Sequence, residues 1–245
     1  MPIQEIPITS WSNFKSTWLR EIFAPSRPSR GRFYFRGQGS SAYPLVSSFD
    51  RWHTSSANIK KLSKKDATEL FLKFFREEAG RLIPDQSLPI DQEQLLALAQ
   101  HYGVPTRLLD WTESPYVAAF FAFSGIASAF KPPVQSVAIW CLDTESALWN
   151  QDTGIKYFSA PSPYNERLRT QLGKFTLLTS PFDSVEEHID KCDTIGGTLR
   201  KIILPAAQAR MALADLDFMG INYSTIYPGL DGCARAANLR MLLER

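Results

Sequence analysis

HYGVPTRLLDWTESP, residues 101–115, is the densest cluster of polar residues in the chain and lies between two apolar helical patterns. The pattern over residues 91–103 predicts a helix that an aspartate caps and a glycine ends. Ser114-Pro115 is a preferred N-cap and first-turn pair, and it predicts a second helix over about 115–130 that is apolar nearly all round. A polar stretch between two such helices indicates either a buried site or a locked connection.

The rest of the chain predicts one α+β domain over residues 1–245, because strands and helices do not alternate in βαβ fashion. Ser10 is a plausible N-cap for a helix over about 10–23, and residues 66–82 have one broad apolar helical face. Residues 25–31 are rich in proline and serine and predict a loop. Strands are expected at residues 32–37, 135–142, 155–159, 174–179 and 199–204, followed by helices from Pro205 to about Phe218 and from about Pro228.

The composition is that of a globular protein. Of the 245 residues, 44% are hydrophobic and 21% are charged, and the net charge of +2 disfavours binding of bulk nucleic acid by charge alone. Three widely spaced cysteines predict neither a disulfide framework nor a metal site. The chain opens with no leader pattern and has no apolar stretch long enough for a bilayer, which predicts a cytoplasmic protein without membrane contact.

Arg36 is the first candidate site residue. It is expected at the end of a strand beside Gly37, which lets a ligand or a backbone approach closely. A guanidinium binds phosphates and carboxylates with a fork of donors. A structural pairing with an acid such as Asp110 explains Arg36 equally well.

Residues 101–115 supply the second group of candidates. His101 exchanges protons near neutral pH, and Trp111 offers a flat ring for stacking. Arg107 and Asp110 are expected to form a buried pair that fixes the connection between the helices. Ser114 is fully explained as a helix cap. For His101, a structural role and a functional role are equally favoured.

Residues 167–175 form a third polar segment ahead of a predicted strand. Its Gln171 can both donate and accept hydrogen bonds, as the binding of a sugar or an amide requires. Taken alone, the segment is more simply a solvated and mildly basic start of a strand.

Together these segments resemble the FRG-domain family, which is named for a Phe/Tyr-Arg-Gly motif. Residues 35–38 (FRGQ) are similar to that motif, and residues 101–115 are similar to the longest signature of the family. Residues 167–175 resemble its later Arg…Gln-x-Gly-x-Phe element, and residues 220–232 also look familial. The resemblance extends over about residues 30–235.

The order of these motifs resembles the ADP-ribosyltransferase superfamily, whose fold has a split β core with flanking helices. There, a first strand carries Arg or His, a strand-to-helix element carries Ser, Thr or Tyr, and the start of a third strand carries Glu or Gln. The resemblance therefore implies an NAD-consuming ADP-ribosyltransferase or NAD glycohydrolase, in a bacterial defence or toxin role. It does not say whether protein or nucleic acid accepts the ADP-ribose group.

The resemblance also assigns roles to residues. Arg36 takes the first position, Thr112 or Ser114 falls at the second, and Gln171 takes the third. With the proton acceptor added, the candidate catalytic residues are Arg36, His101, Asp110, Gln171 and Glu166. The NAD-binding residues that it implies are Arg36, Gly37, Gln38, Tyr102, Thr106, Arg107, Trp111 and Thr112. Arg36 would pair with the diphosphate, Trp111 or Tyr102 would pack on the nicotinamide, and His101 or Asp110 would accept a proton from the nucleophile.

The sequence departs from this pattern at the third strand. Transfer normally needs a glutamate there, and this chain has Gln171, with Glu166 five residues earlier. A glutamine would still hold a ribose hydroxyl but supplies no carboxylate. Two smaller departures from the family are Tyr227 in place of the usual Phe and Gly229 in place of a common acid.

Two other functions fit the same residues. One is a nucleic-acid-processing enzyme whose phosphate cleft is lined by arginines, namely Arg30, Arg32, Arg36, Arg107, Arg167 and Arg169. The other is a non-catalytic sensing or interaction domain, in which the polar motifs only lock the core.

Overall fold

The computed structural model describes residues 3–23, 31–55, 61–82, 88–126, 134–149, 154–159, 170–193 and 196–243. A seven-stranded mixed sheet runs through them in the order β1-β7-β4-β2-β3-β6-β5. The pair β1–β7 is parallel and the other neighbours are antiparallel. The strands are β1 (Ile3–Pro7), β2 (Phe33–Gln38), β3 (Leu108–Thr112), β4 (Ser136–Asp143), β5 (Ile155–Phe158), β6 (Gly173–Leu178) and β7 (Leu199–Pro205).

Helices flank this sheet. The first, α1, runs from Trp11–Asn13 through a π-helical turn, Phe14–Trp18, to Leu19–Ile22. The others are α2 (Ser48–Ser55), α3 (Lys64–Ala79), α4 (Gln92–His101), α5 (Pro115–Ser124), α6 (Val185–Cys192), α7 (Ala209–Phe218), α8 (Tyr223–Ile226) and α9 (Leu230–Leu243). Within the described ranges, no helix is long and apolar enough to cross a membrane.

Capping residues place three of the helices where the sequence predicts them. The Ser10 hydroxyl accepts from the Asn13 amide at the start of α1. In the same way, the Asp91 carboxylate accepts from the Gln94 amide at the start of α4, and the Ser114 hydroxyl accepts from the Val117 amide at the start of α5. Each bond satisfies an amide that the first helical turn leaves without a partner. The five predicted strands are confirmed as β2, β4, β5, β6 and β7, within two residues at each end.

Several predictions of local structure were wrong or incomplete. The helix expected to reach about residue 130 ends at Ser124, and residues 127–133 lie outside the described part of the chain. The connection between α4 and α5 contains strand β3, because residues 108–112 pair along their whole length with β6. Strand β1 and helices α2, α6 and α8 were not predicted. The predicted loop over residues 25–31 falls outside the described residues except for Gly31.

The sheet consists of two laddered halves that meet at one residue pair. β2 pairs with β4 over six residues and β3 pairs with β6 over five, but β2 and β3 pair only at Phe35 and Thr112. Beyond that pair the two strands diverge, so the sheet is split between Arg36 on one side and Asp110 on the other. An α+β fold with flanking helices is therefore confirmed.

Two hydrophobic cores cover one face of the split sheet. α1, α5 and α7 pack on the β2 half around Phe35 and Ile139. α3 and α4 pack on the other half around Leu108 and Phe175. Alternation along the strands puts Phe35, Thr112 and Leu108 on the same side, so the two cores lie side by side over the split. A third core, around Trp140 and Trp111, fills the opposite face.

Candidate functional site

A pocket of about 360 Å³ lies over the split, between α4 and α5. This volume is at the lower end of the range of roughly 300–1,000 Å³ that is typical of ligand sites. The pocket is lined by Phe35, Arg36, Gly37, Ala97, Gln100, His101, Asp110, Trp111, Thr112, Phe121, Gln171, Phe175 and Tyr227. All three of the polar segments singled out in the sequence thus contribute to one cavity.

Arg36 lies where β2 separates from β3. Its Nη1 donates to the backbone oxygen of Asp110 at 2.7 Å and lies 3.9 Å from the Asp110 Oδ2. The guanidinium therefore satisfies a carbonyl that the interrupted ladder leaves open. Arg36 Nε is buried and has no hydrogen-bond partner among the described residues. Burial lowers the pKa of Arg36, which the Asp110 carboxylate opposes, and the group remains a cation.

Gly37 is required by the packing of α5 on β2. A Cβ atom at this position would lie 1.9 Å from the Ala118 oxygen and 2.6 Å from the Ala122 nitrogen, both backbone atoms of α5. No side chain fits there without moving the helix. The close approach that glycine permits is therefore made by a helix backbone, which sets one wall of the pocket against Arg36.

Asp110 is fixed by a chain of side-chain hydrogen bonds. Gln100, at the end of α4, donates from Nε2 to Asp110 Oδ1 at 2.7 Å. The buried Thr106 hydroxyl bonds to Gln100 Oε1 and accepts from the Leu108 amide at 3.3 Å. The Asp110 side chain is nevertheless 64% exposed. A carboxylate that is both held and accessible can act on a bound ligand.

Aromatic rings form the wall opposite α4. Phe121 of α5 and Tyr227, just after α8, meet edge to face with centroids 6.3 Å apart. The Arg235 guanidinium lies 5.0 Å from the centroid of the Tyr227 ring. Gly232 permits close packing of α9 on α8, since a Cβ there would meet the Tyr227 oxygen at 1.8 Å. The C-terminal helix thereby holds the aromatic wall in place.

Gln171 belongs to a strained turn ahead of β6. The next residue, Leu172, has a φ of 50°, in the left-handed region that non-glycine residues rarely adopt. Gln171 Nε2 donates to the Ile226 oxygen at 3.3 Å. The turn thus ties Gln171 to the segment that carries Tyr227, and places both on the same side of the pocket.

His101, Thr112 and Trp111 complete the predicted residues that line the pocket. His101 ends α4 and is exposed, and it contacts the Tyr102 ring edge to face at 5.0 Å. The Thr112 hydroxyl accepts from the Ser114 amide. Trp111 is only 3% exposed and donates to Thr176 Oγ1, so its indole belongs mainly to the core on the opposite face.

Three of the predicted ligand-binding residues do not line the pocket. Gln38 bonds to Trp140 and to the Pro44 oxygen. Tyr102 is 71% exposed, and Thr106 is buried behind Gln100. Glu166, the second candidate for the acidic role, lies outside the described residues.

Arg107 is a fourth such residue, and its predicted pairing with Asp110 was wrong. Its Nε bonds to the fully buried Asp50, and its two terminal nitrogens donate to the oxygens of Ser180 and Phe182 at 2.9 and 2.8 Å. Arg107 is 6% exposed. The group therefore joins α2 to the chain after β6, away from the pocket.

Six residues that line the pocket were not predicted as site residues, namely Phe35, Ala97, Gln100, Phe121, Phe175 and Tyr227. Gln100 immediately precedes the signature, but a glutamine near a helix end has no distinctive pattern. Phe121 is one of several aromatic residues in an apolar helix, and only the packing shows which of them faces the split. No group of acidic, histidine or cysteine residues in the described ranges is arranged to hold a metal ion.

Comparisons with known proteins identify one part of the chain. A family model of the FRG domain matches residues 31–130, which include β2, residues 101–115 and α5. Neither the curated proteins nor the solved structures contain a match to this chain. The matched segment supplies Arg36, Gln100, His101, Asp110 and Phe121 to the pocket. On this match, residues 31–130 contain an FRG domain.

Proposed function

We propose that the pocket binds NAD and cleaves the bond between its nicotinamide and ribose, as an ADP-ribosyltransferase or NAD glycohydrolase does. The observation that carries the proposal is a pair of opposite charges at one cavity. Arg36 has a buried Nε without a partner among the described residues, and Asp110 has a fixed carboxylate with 64% exposure. The anionic diphosphate of NAD would suit Arg36, and its ribose, which becomes positively charged during cleavage, would suit Asp110.

The pocket suits one half of this ligand. Arg36 Nε would donate to a diphosphate oxygen, since a guanidinium matches phosphate geometry. Phe121 and Tyr227 would pack against a flat ring, as aromatic edges and faces do with heterocycles. At about 360 Å³, the cavity would hold the nicotinamide ribose end, with the adenosine end extending outward.

The reaction follows from these positions. The bond from ribose C1′ to the nicotinamide nitrogen breaks, its electron pair stays on that nitrogen, and C1′ gains oxocarbenium character. The Asp110 carboxylate stabilises this positive charge electrostatically. A water or acceptor hydroxyl then attacks C1′, and its proton passes to Asp110 or His101. Gln171 would orient the ribose hydroxyls but supplies no charge.

The test is release of nicotinamide from millimolar NAD by the purified chain. We expect Arg36→Ala to reduce release about 100-fold or more, by analogy with loss of one electrostatic donor from a transition state. Arg32→Ala is the matched control, because the Arg32 and Arg36 side chains are 22% and 23% exposed. No release by the unmodified chain, or full release by a folded Arg36→Ala protein, would contradict the proposal.

A transferase and a hydrolase differ in the fate of the ADP-ribose. Mass spectrometry of candidate protein and nucleic-acid acceptors after the reaction separates the two. The rival proposal of a nucleic-acid cleft gains less support from the fold. Three of its six arginines lie within the described residues. Of these, Arg32 pairs with Asp143 and Glu145, and Arg107 pairs with Asp50. Only the third, Arg36, lines the pocket.

A further inference from the structure

Three residues on different elements connect the core to the exposed carboxylate in the pocket. Thr106 lies in the connection after α4, Gln100 is the penultimate residue of α4, and Asp110 is the central residue of β3. We infer that Gln100 and Thr106 are positioning residues for Asp110, an inference that rests on the proposed NAD cleavage. They would act by fixing the orientation of the carboxylate, without touching the substrate at the reacting atoms.

The three hydrogen bonds of this chain form a consistent series of donors and acceptors. The Leu108 amide can only donate, so it uses the Thr106 oxygen as an acceptor at 3.3 Å. The Thr106 hydroxyl hydrogen is then available for Gln100 Oε1. With Oε1 accepting, the amide group of Gln100 must present Nε2 to Asp110 Oδ1, at 2.7 Å. Two side chains thus connect the Leu108 backbone amide to the Asp110 carboxylate.

These bonds restrain the Asp110 carboxylate that faces the pocket. Oδ1 accepts a hydrogen bond from Gln100 Nε2. Oδ2 lies 3.9 Å from Arg36 Nη1, and the Asp110 backbone oxygen accepts from the same nitrogen at 2.7 Å. The carboxylate is therefore restrained on both sides although most of it is exposed to solvent. Without Gln100, the carboxylate would lose one of these restraints and rotate more freely.

The inference distinguishes orientation of the catalytic group from binding of the substrate. Loss of orientation lowers kcat, because a displacement of about 1 Å can reduce rate by roughly 100-fold. It leaves the affinity for ADP-ribose nearly unchanged, since Arg36 and the aromatic wall are intact. A role limited to folding would instead reduce the folded fraction and leave the kcat of the remaining folded protein unchanged.

The experiment measures kcat and KM for NAD cleavage, and ADP-ribose affinity by calorimetry, in five variants. Thr106→Val removes the hydroxyl at constant volume, and Thr106→Ser retains it. Gln100→Ala removes the amide, Gln100→Glu replaces its donor with a carboxylate, and Gln94→Ala is a control on the same helix outside the pocket lining.

We expect Gln100→Ala and Thr106→Val to lower kcat about tenfold or more, with KM and ADP-ribose affinity within about threefold of the unmodified chain. Thr106→Ser and Gln94→Ala should retain full activity. The activity of Gln100→Glu, relative to the unmodified chain, should rise as the pH falls, because the introduced carboxyl donates a hydrogen bond only when protonated.

Each alternative result has a separate meaning. Full kcat in Gln100→Ala, or equal losses in Thr106→Ser and Thr106→Val, would overturn the inference and leave the proposed NAD cleavage standing. A flat pH dependence of the Gln100→Glu ratio would also contradict it. No cleavage by the unmodified chain would overturn the proposed function, and with it the role inferred for these two residues.

Discussion

Arg36, in the FRGQ motif, and Arg107, in residues 101–115, both bring a guanidinium into the interior, yet their surroundings differ. All three of the nitrogen atoms of Arg107 bond to acceptors, which are Asp50 and two backbone oxygens. Arg36 has one backbone acceptor and a distant carboxylate, and its Nε is buried without a partner in the described part of the chain. A fully paired cation indicates a structural role, whereas an incompletely paired one beside a pocket indicates a ligand.

Replacing Arg107 should have the largest effect on stability. Arg107→Ala would leave Asp50, which is 1% exposed, with Lys64 and Ser47 as its side-chain partners among the described residues. It would also remove the Arg107 donor from the Ser180 oxygen, whereas the Phe182 oxygen would keep Lys64 as a donor. Breaking a buried pair in this way destabilises a fold by about 3–5 kcal/mol. Urea unfolding measures the change. The loss of unfolding free energy in Arg36→Ala should be at least about 2 kcal/mol smaller than that in Arg107→Ala. Equal losses would contradict the different roles assigned to the two arginines.

Gly37→Ala should come next, because it tests the packing that holds Arg36 against the pocket. The added Cβ meets the α5 backbone at 1.9 Å, and overpacking of this kind reduces stability by about 1–3 kcal/mol or more. Gly103→Ala is a useful contrast. Its φ of 89° disfavours a side chain through the backbone alone, since nothing lies within 4 Å of its Cβ position. A loss for Gly37→Ala no greater than about 1 kcal/mol would contradict the packing argument.

His188 gives a pH-dependent test of the Arg107 region, since it shares Ser180 with that network. It is 0% exposed, and burial lowers its pKa below the ordinary value of about 6.5. The unfolded chain therefore binds a proton that the folded chain resists, so His188 makes stability fall as the pH drops below about 6.5. The slope is at most about 1.4 kcal/mol per pH unit.

The measurement compares urea unfolding of the unmodified chain and His188→Gln between pH 7.5 and 5. The free energy of unfolding of the unmodified chain should fall more steeply below pH 6.5 than that of the variant. Parallel curves would show that His188 accepts a proton in the folded state without cost, and that this part of the interior is accessible to water.

Arg32→Ala should have the smallest effect. Arg32 pairs with Asp143 at 3.0 Å and with the exposed Glu145, near the surface at the start of β2. Pairs of this kind contribute less than about 1 kcal/mol. Urea unfolding should place this variant within that margin. A loss of stability above about 2 kcal/mol would contradict this. It would mean that the partly exposed pair of Arg32 and Asp143 contributes nearly as much as the buried pair of Arg107 and Asp50.

The sequence predicts the elements whose signals are local. Ser10, Asp91 and Ser114 mark helix starts with a side chain that bonds three residues ahead, and the structure has these bonds. The sequence did not predict β3, because LLDWT is short and its pairing partner β6 lies more than sixty residues later. β1 was missed for the same reason, since it pairs with β7 at the far end of the chain.

The sequence predicted several residues that line the pocket, but not the hydrogen bonds that connect them. Arg36, His101, Asp110, Trp111, Thr112 and Gln171 meet at one pocket, as the motifs suggested. The partner of Arg107 is Asp50, which lies 57 residues away and in no motif, so no pattern could indicate it. Gln100 was missed because its role depends on where Thr106 and Asp110 lie in space.

The most direct test of the account is thermal melting of the unmodified chain, Arg36→Ala and Arg32→Ala with ADP-ribose. A ligand at about 100 times its dissociation constant adds about 2.7 kcal/mol of stability, which is readily visible as a higher melting temperature. We expect a shift for the unmodified chain and for Arg32→Ala, and none for Arg36→Ala. An unmodified chain that shows no shift, or an equal shift in Arg36→Ala, would contradict the claim that Arg36 binds the diphosphate.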